Sequence, residues 1–394
     1  MTRQHQLFTT LAESRDRLQL IRSLSVIIGP PHYSHGYLMY ALLELLPSMS
    51  QLRDLAVLRT PSMDMDLYPT IKYLGKSSQI AAFLEENCGV VSPTLTSLQL
   101  EIPLPTGLFQ PLDFQKGKIR LRSLELMYPY AVQSARDLVS PSLERLAING
   151  DVVLLNNLFK VAYIDKEDAT VTTFSPTHLY LDNHSTLPLW RSRMRLAGES
   201  MSGNTSLQLP DTSRLRSLEI SSSLVDELAN LDKRPTTALD TTPSSHSRFS
   251  SVTHLGIFSP PLAEPNYAIE RRFLRMWSEE TQTSSSNMVR ILSSFPNLRS
   301  LSLQREDVGD WPDRVVDAVR RSGGPSSISL LPGMEDPLTT LLTLLRVTCP
   351  WLEVVLYRSH SSHASGMGVL DRESGRWNYQ AIEDEECSRY WTTV

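Results

Sequence analysis

Residues 121–126 read Leu-Arg-Ser-Leu-Glu-Leu, and the first four residues of this stretch return at 215–218 and at 298–301. Successive side chains of a β-strand point to opposite faces, so Leu124 and Leu126 would face one side and Glu125 the other. Leu121 would fill the same apolar layer from the turn that precedes the strand. The stretch therefore predicts a short strand with one buried face and one polar face.

The same pattern, apolar-x-x-Leu-x-apolar, extends over the whole chain. Its ten copies begin at Ile21, Leu52, Leu95, Leu121, Leu143, Pro176, Leu215, Val252, Leu298 and Leu352. Chance would give about half a dozen matches to so loose a pattern in a chain of ordinary composition. The repeated Leu-Arg-Ser-Leu and four Pro-x-Leu openings favour a true repeat. These openings lie at Pro93, Pro141, Pro296 and Pro350.

Segments with helical spacing, such as 40–46 and 152–163, lie between the copies. Strand, loop, helix and return make one turn of a solenoid, which must stack on its neighbours to cover its apolar face. The intervals range from 22 residues (Leu121 to Leu143) to 54 residues (Leu298 to Leu352), mostly above the roughly 20–29 of regular leucine-rich repeats. We expect an α/β fold, an irregular leucine-rich-repeat solenoid or horseshoe. Parallel strands would line its concave face, and helices and loops its convex face.

The domain organisation follows from the extent of the repeat. We expect an N-terminal capping helix over 1–20, the repeat array over 21–358, and a linker with a C-terminal capping hairpin over 359–394. Polar segments rich in Ser, Thr and Gly predict loops inside the array. They lie near 198–206, 232–251 and 278–287.

Composition excludes several functional classes. Hydrophobic residues make up 41% of the chain and charged residues 21%, and the formal charge is −5 without a long basic run. This balance argues against a nucleic-acid surface. The absence of an apolar window of membrane length, or of an apolar leader, argues against a membrane or secreted protein. Cys88, Cys349 and Cys387 have no metal-like spacing, which suits reduced thiols in an intracellular, cytoplasmic or nuclear protein.

The nine histidines are the first candidates for catalytic or metal-binding residues. His178 and His254 share a Thr-His-Leu position, but the copy at Leu215 separates them by about two strand spacings of 4.7–4.9 Å. No nucleophile elbow, phosphate loop or dinucleotide fingerprint is present. We therefore expect no catalytic residue, no cofactor and no metal. The closest pairs, in loops without the further ligands that a metal requires, are His32 with His35 and His360 with His363.

The remaining candidate is the row of residues that alternate with the buried pair in each strand. This row is mixed but leans acidic, so we expect it to bind a protein partner with basic or polar groups. The alternative is an ordinary solvated sheet face. The candidate residues are Asp54, Gln99, Glu101, Glu125, Met127, Arg145, Asn149, Tyr180, Asp182, Glu219, Phe258 and Gln304.

The stretch Leu7 to Val26, LFTTLAESRDRLQLIRSLSV, resembles the one that follows the F-box in fungal F-box and leucine-rich-repeat proteins. The irregular repeats and the closing segment Trp377 to Trp391 resemble the same family. The resemblance implies that the repeats hold a substrate while an F-box docks on the adaptor of a cullin-type ubiquitin ligase. Only six residues precede Leu7, and no F-box lies among them.

The expected function is therefore non-catalytic recognition of a protein partner. One alternative is a substrate receptor of a cullin-type ubiquitin ligase whose F-box is missing from this gene model, with ligase components as partners. A second is an enzyme of unrecognised type, and a third is a gene product without a selected partner.

Overall fold

The computed structural model places the chain in two compact units, one of Met1–Gly150 with Asn157–Pro176 and one of Asp151–Asn156 with Thr177–Val394. We call them unit 1 and unit 2. The structure describes residues 3–28, 41–59, 94–101, 120–127, 138–139, 142–150, 152–159, 162–164, 171–182, 207, 209–221, 224, 249–258, 292–304, 345–346, 349–358, 365–382 and 390–393.

Unit 1 begins with two helices and continues as a parallel sheet. Helices α1 and α2 are Arg3–Glu13 and Arg15–Leu18. Strands β1 to β5 pair in chain order, each parallel to the next. A separate antiparallel pair, β6 and β7, follows. The strands are Ser23–Ile28, Asp54–Arg59, Ser97–Leu100, Ser123–Leu126, Arg145–Asn149, Ala162–Ile164 and Val171–Thr173.

Unit 2 repeats the parallel arrangement and ends in a hairpin. Strands β8 to β12 pair in chain order and are all parallel. Strand β13 then pairs antiparallel with β12, and β14 pairs antiparallel with β13. These strands are His178–Asp182, Ser217–Ser221, His254–Phe258, Ser300–Gln304, Val354–Arg358, Ser365–Leu370 and Trp377–Ile382.

The predicted repeat explains the parallel strands of both units. Each of the ten motif copies forms a strand that begins two residues after the motif starts. The central leucines stand in register across neighbouring strands, as Leu98 with Leu124 and Leu218 with Leu255 do, and all four are fully buried. Val355 pairs with Leu301 in the degenerate last copy. The α/β leucine-rich-repeat fold class is therefore confirmed, because parallel strands with aligned leucines are what this motif requires.

Hydrogen bonds outside the strands also follow the repeat. The carbonyl of Thr253, just before β10, accepts both the Arg299 and the Ser300 N–H groups of the next copy. A polar side chain within a Pro-x-Leu opening can add a bond to the preceding copy. Thr94 thus donates to the Leu52 carbonyl at 2.9 Å, and Asn297 to the Ser250 carbonyl at 2.7 Å. Backbone and side chain together fix the register between neighbouring copies.

A buried residue three positions before the motif belongs to the repeat as well, although the sequence pattern did not include it. Its carbonyl accepts the N–H of the first motif residue, as Phe295 does from Leu298. Phe249 and Phe295 stack there, with ring centroids 4.7 Å apart. Cys349 takes the same place before Leu352, where burial raises the pKa of its thiol to about 12. It is a core thiol, unsuited to reaction near neutral pH.

The helical predictions are met in part. Residues 41–45 are helical, and helix α3 covers Val152–Phe159. The helix predicted over 152–163 ends earlier, because Ala162–Ile164 pairs as a strand with Val171–Thr173. The predicted loops 198–206 and 278–287, and 232–248 of the third, lie outside the described residues. Among the residues that the structure describes, no helix has the length and apolar content to cross a membrane.

The C-terminal hairpin has a compact turn. Gly375 has a φ of 68°, a left-handed conformation that glycine adopts without strain. The Asp371 carboxylate accepts the Ser374 hydroxyl at 2.6 Å and the Glu373 N–H at 3.0 Å. These bonds lower the pKa of Asp371, with the Ser374 hydroxyl as the largest cause.

Candidate functional site

In each unit, the strand positions that alternate with the buried leucines make up a second face, which we call the polar face of that unit. All twelve predicted partner-binding residues lie at such positions. Glu101 and Met127 come one residue after β3 and β4, and Phe258 and Gln304 end β10 and β11. Unit 1 carries Asp54, Gln99, Glu101, Glu125, Met127, Arg145 and Asn149. Unit 2 carries Tyr180, Asp182, Glu219, Phe258 and Gln304.

The polar face of unit 1 is accessible. Asp54 is exposed, and Gln99, Glu101, Glu125, Met127 and Arg145 are half-buried; Asn149 is buried. Gln99 and Glu125 are direct neighbours in the register of β3 and β4. These residues thus include three carboxyl groups, those of Asp54, Glu101 and Glu125, and one guanidinium, that of Arg145. An exposed arginine row, formed by Arg22, Arg53 and Arg122, precedes β1, β2 and β4.

The polar face of unit 2 holds a buried polar network that the sequence did not reveal. Glu219, His254 and Ser300 lie on three neighbouring strands and are 0%, 0% and 4% exposed. His254 Nε2 is 3.2 Å from Glu219 Oε1, and His254 Nδ1 is 2.7 Å from Ser300 Oγ. A carboxylate only accepts hydrogen bonds, so Nε2 carries the proton that it donates to Glu219. In the neutral imidazole, Nδ1 then accepts from the Ser300 hydroxyl.

Gly256 makes room for this network. It lies beside Glu219 in the register of β9 and β10. A Cβ atom at Gly256 would stand 2.6 Å from Glu219 Cγ, well inside van der Waals contact. The carboxylate of Glu219 therefore reaches His254 by passing over a strand position that only glycine leaves open.

The C-terminal segment Tyr390–Thr392, a short 3-10 helix, lies against this face. The Tyr390 ring contacts the His254 ring with centroids 5.5 Å apart, and its hydroxyl bonds with Ser300. The Trp391 indole contacts Tyr180 at 5.7 Å and His178 at 6.4 Å. Burial raises the pKa of Tyr390, and the Ser300 bond offsets part of that rise. The segment thus helps to keep solvent from the polar network.

An apolar cluster holds the other side of Tyr390. Leu356 and Ile382 form its buried centre, and Val354, Met367 and Tyr390 pack against it. Val354 and Leu356 stand on the polar face of β12, where the other strands of the motif carry mainly polar residues. Apolar residues at these positions indicate, from the sequence alone, that another segment covers this face.

The predicted separation of His178 and His254 is confirmed, because β9 lies between β8 and β10. The two side chains contact different residues of the C-terminal segment. His32, His35, His360, His363, Cys88 and Cys387 lie outside the described residues. Within the described part of the chain, no three His, Cys, Asp or Glu side chains are grouped closely enough to hold a metal ion.

Serine, histidine and glutamate in a row invite comparison with a hydrolase triad, which the geometry does not support. Ser300 is buried, and its hydroxyl already bonds with both His254 and Tyr390. Its N–H donates to the Thr253 carbonyl at 3.0 Å, so it is not free to stabilise an oxyanion. The row is better explained as a polar network that orients the C-terminal segment.

Comparison with known proteins gives no family. No protein-family model matches the chain, and no curated protein matches it. The crystal structure of the leucine-rich repeat-containing protein LegL7 from Legionella pneumophila is similar, with 12% identity, a TM-score of 0.37, and 95% of this chain and 91% of that chain covered. A TM-score this low carries no argument about fold or function.

Proposed function

We propose that the chain is a non-catalytic protein-recognition module that binds its partner on the polar face of unit 1. The observation that carries the proposal is the accessible row of Gln99, Glu101 and Glu125 on adjacent strands, with their backbones fixed by the parallel ladder. Rigid strands hold the backbone of these residues at fixed spacing, so only the side chains must be ordered on binding. Acidic groups there suit a partner surface with basic or polar side chains.

A finer proposal concerns origin. Residues 7–26 resemble the segment after the F-box in F-box and leucine-rich-repeat proteins, and here they contain most of α1, all of α2 and the start of β1. We infer that the module derives from the substrate-holding half of such a receptor. The alternative is an active receptor of a cullin-type ubiquitin ligase that carries an F-box. Enrichment of a cullin adaptor with the protein isolated from its own cells would favour that alternative.

The test is charge reversal on the polar face of unit 1. The variant Glu101→Lys with Glu125→Lys is compared with Glu13→Lys with Glu44→Lys, two exposed positions on helical segments of the same unit. Both pairs change the formal charge equally. Glu219 is unsuitable, because a lysine there would be buried beside His254.

We expect the face variant to lose at least about tenfold in partner recovery, measured by pull-down with quantitative mass spectrometry, because close charge contacts contribute more than about 1.4 kcal/mol. The control variant should recover the same partner as the wild type. Equal recovery with all three proteins would refute the assignment of this face.

A further inference from the structure

We propose that the polar face of unit 2 is a peptide-docking site, which the chain's own C-terminal segment fills in cis. From a partner protein it would take a segment with the same adjacent tyrosine and tryptophan. This inference is independent of the proposed function, because its residues lie on β8 to β12 rather than on the face of unit 1.

The floor of the site is specific for this pair of side chains. Ser300 binds the phenol hydroxyl, and the His254 ring contacts the phenol ring. His178 and Tyr180 contact the indole, which is 4% exposed. A phenylalanine in the first place would lose the bond with Ser300, and a small residue in the second would lose most of the apolar contact.

The polar network prepares the floor for this occupant. Glu219 fixes the plane of the His254 ring through Nε2, so that Nδ1 faces Ser300. The Ser300 hydroxyl is thereby held beside the tyrosine hydroxyl, with which it bonds. The network would present the same serine hydroxyl to a tyrosine from another chain.

The way the segment is held allows exchange. It sits on the sheet as a three-residue 3-10 helix, closed by the Thr393 N–H bond to the Tyr390 carbonyl at 3.0 Å, and not as a further strand. Its fixed end is β14, which finishes at Ile382. The segment belongs to the same chain as the site, so a free peptide must compete with a covalently linked one.

The experiment uses the full chain and a synthetic peptide of residues 388–394, Ser-Arg-Tyr-Trp-Thr-Thr-Val. The site is opened by the variant Tyr390→Ala with Trp391→Ala. The control variant, Trp351→Ala, removes an indole that is 61% exposed and leaves the segment in place. Binding is measured by isothermal titration calorimetry, and a control peptide carries Trp391→Ala.

We expect the opened variant to bind the peptide at least about tenfold more tightly than the wild type or Trp351→Ala does, since both must first release their own segment. The control peptide should bind at least about tenfold more weakly than the parent peptide. The amide hydrogens of 390–393 in the wild type should exchange faster than those of β9 and β10, because the segment opens locally.

Three results would overturn the proposal. The first is an opened variant that keeps its circular dichroism spectrum but does not bind the peptide at millimolar concentration. The second is an opened variant that no longer folds, since the segment would then be part of the core and not a displaceable occupant. The third is a wild-type dimer lost in the opened variant, which would make a second copy of this chain the occupant.

Discussion

The two polar faces arise from one motif yet differ in what surrounds them. In unit 1, residues such as Gln99 and Glu125 stay half-exposed at the centre of their strands. In unit 2, Glu219 has the corresponding position and is fully buried, with Tyr390 and Trp391 lying on the same face. The strand pattern decides which face a side chain joins. Whether that face meets solvent depends on segments elsewhere in the chain.

Removal of the indole from the C-terminal segment should show this contrast most strongly. Trp391→Ala should lower the free energy of unfolding by about 3 kcal/mol, because a large buried aromatic surface is lost. Urea unfolding followed by circular dichroism measures the change. Trp351→Ala, at an exposed tryptophan, should stay within about 0.5 kcal/mol of the wild type. Equal losses in the two variants would mean that Trp391 does not hold the segment on the sheet.

The second test adds one methyl group beneath the buried carboxylate. Gly256→Ala places a Cβ against Glu219 Cγ and should cost about 2 kcal/mol through overpacking. Alanine already stands at the corresponding motif position of β5, as Ala147, so the strand itself accepts it. The cost should fall below about 0.5 kcal/mol when Gly256→Ala is made in a Glu219→Ala background. The same cost in both backgrounds would show that the clash lies elsewhere.

The loss of one serine hydroxyl should also cost more stability in unit 2, where it belongs to the polar network, than in unit 1. Ser300→Ala removes the donor to His254 Nδ1 and the partner of Tyr390, which should cost about 1.5 kcal/mol. Ser97→Ala changes the same motif position in unit 1, where the serine is half-exposed, and should change stability by less than about 0.5 kcal/mol. Thermal unfolding of the two variants side by side measures the difference, and similar melting temperatures would contradict it.

The pH dependence sharpens the comparison further. Burial raises the pKa of Tyr390 in the folded chain, whereas an unfolded tyrosine ionises near about pH 10. The stabilisation that the protonated phenol of Tyr390 contributes is therefore complete below about pH 10, and it is lost as pH rises through the pKa of the folded state. Tyr390→Phe should cost about 1 kcal/mol at pH 8, and its deficit against the wild type should shrink by pH 11. A deficit that is constant over this range would contradict the role of the protonated phenol.

The smallest stability effect is expected on the accessible face. Glu125→Lys in unit 1 should change the free energy of unfolding by less than about 0.5 kcal/mol, because Glu125 is only partly buried and substitutions outside the core have small effects. Urea unfolding at low and moderate salt measures this. A loss of several kcal/mol would show that the face of unit 1 is covered as the face of unit 2 is.

The strands were predictable because their signal is local. Alternation of Leu124, Glu125 and Leu126 needs no knowledge of the rest of the chain, and every motif copy forms the expected strand. The sequence places the carboxylate and the histidine of the network on strands, but it does not predict that they contact each other. Glu219 and His254 come from copies of different spacing, and the glycine that lets them meet carries no chemical signal of its own.

The sequence by itself determined the repeat, the parallel register of its leucines, and which side chains share a polar face. The reason is that side chains alternate between the two faces of a strand, and each motif copy has the same alternation. Only the tertiary structure decided that the face of unit 2 is covered, that Glu219, His254 and Ser300 form one network, and that Tyr390 and Trp391 lie on it. These contacts join residues far apart in the chain. Their free energy comes from shape and burial, which no local spacing encodes.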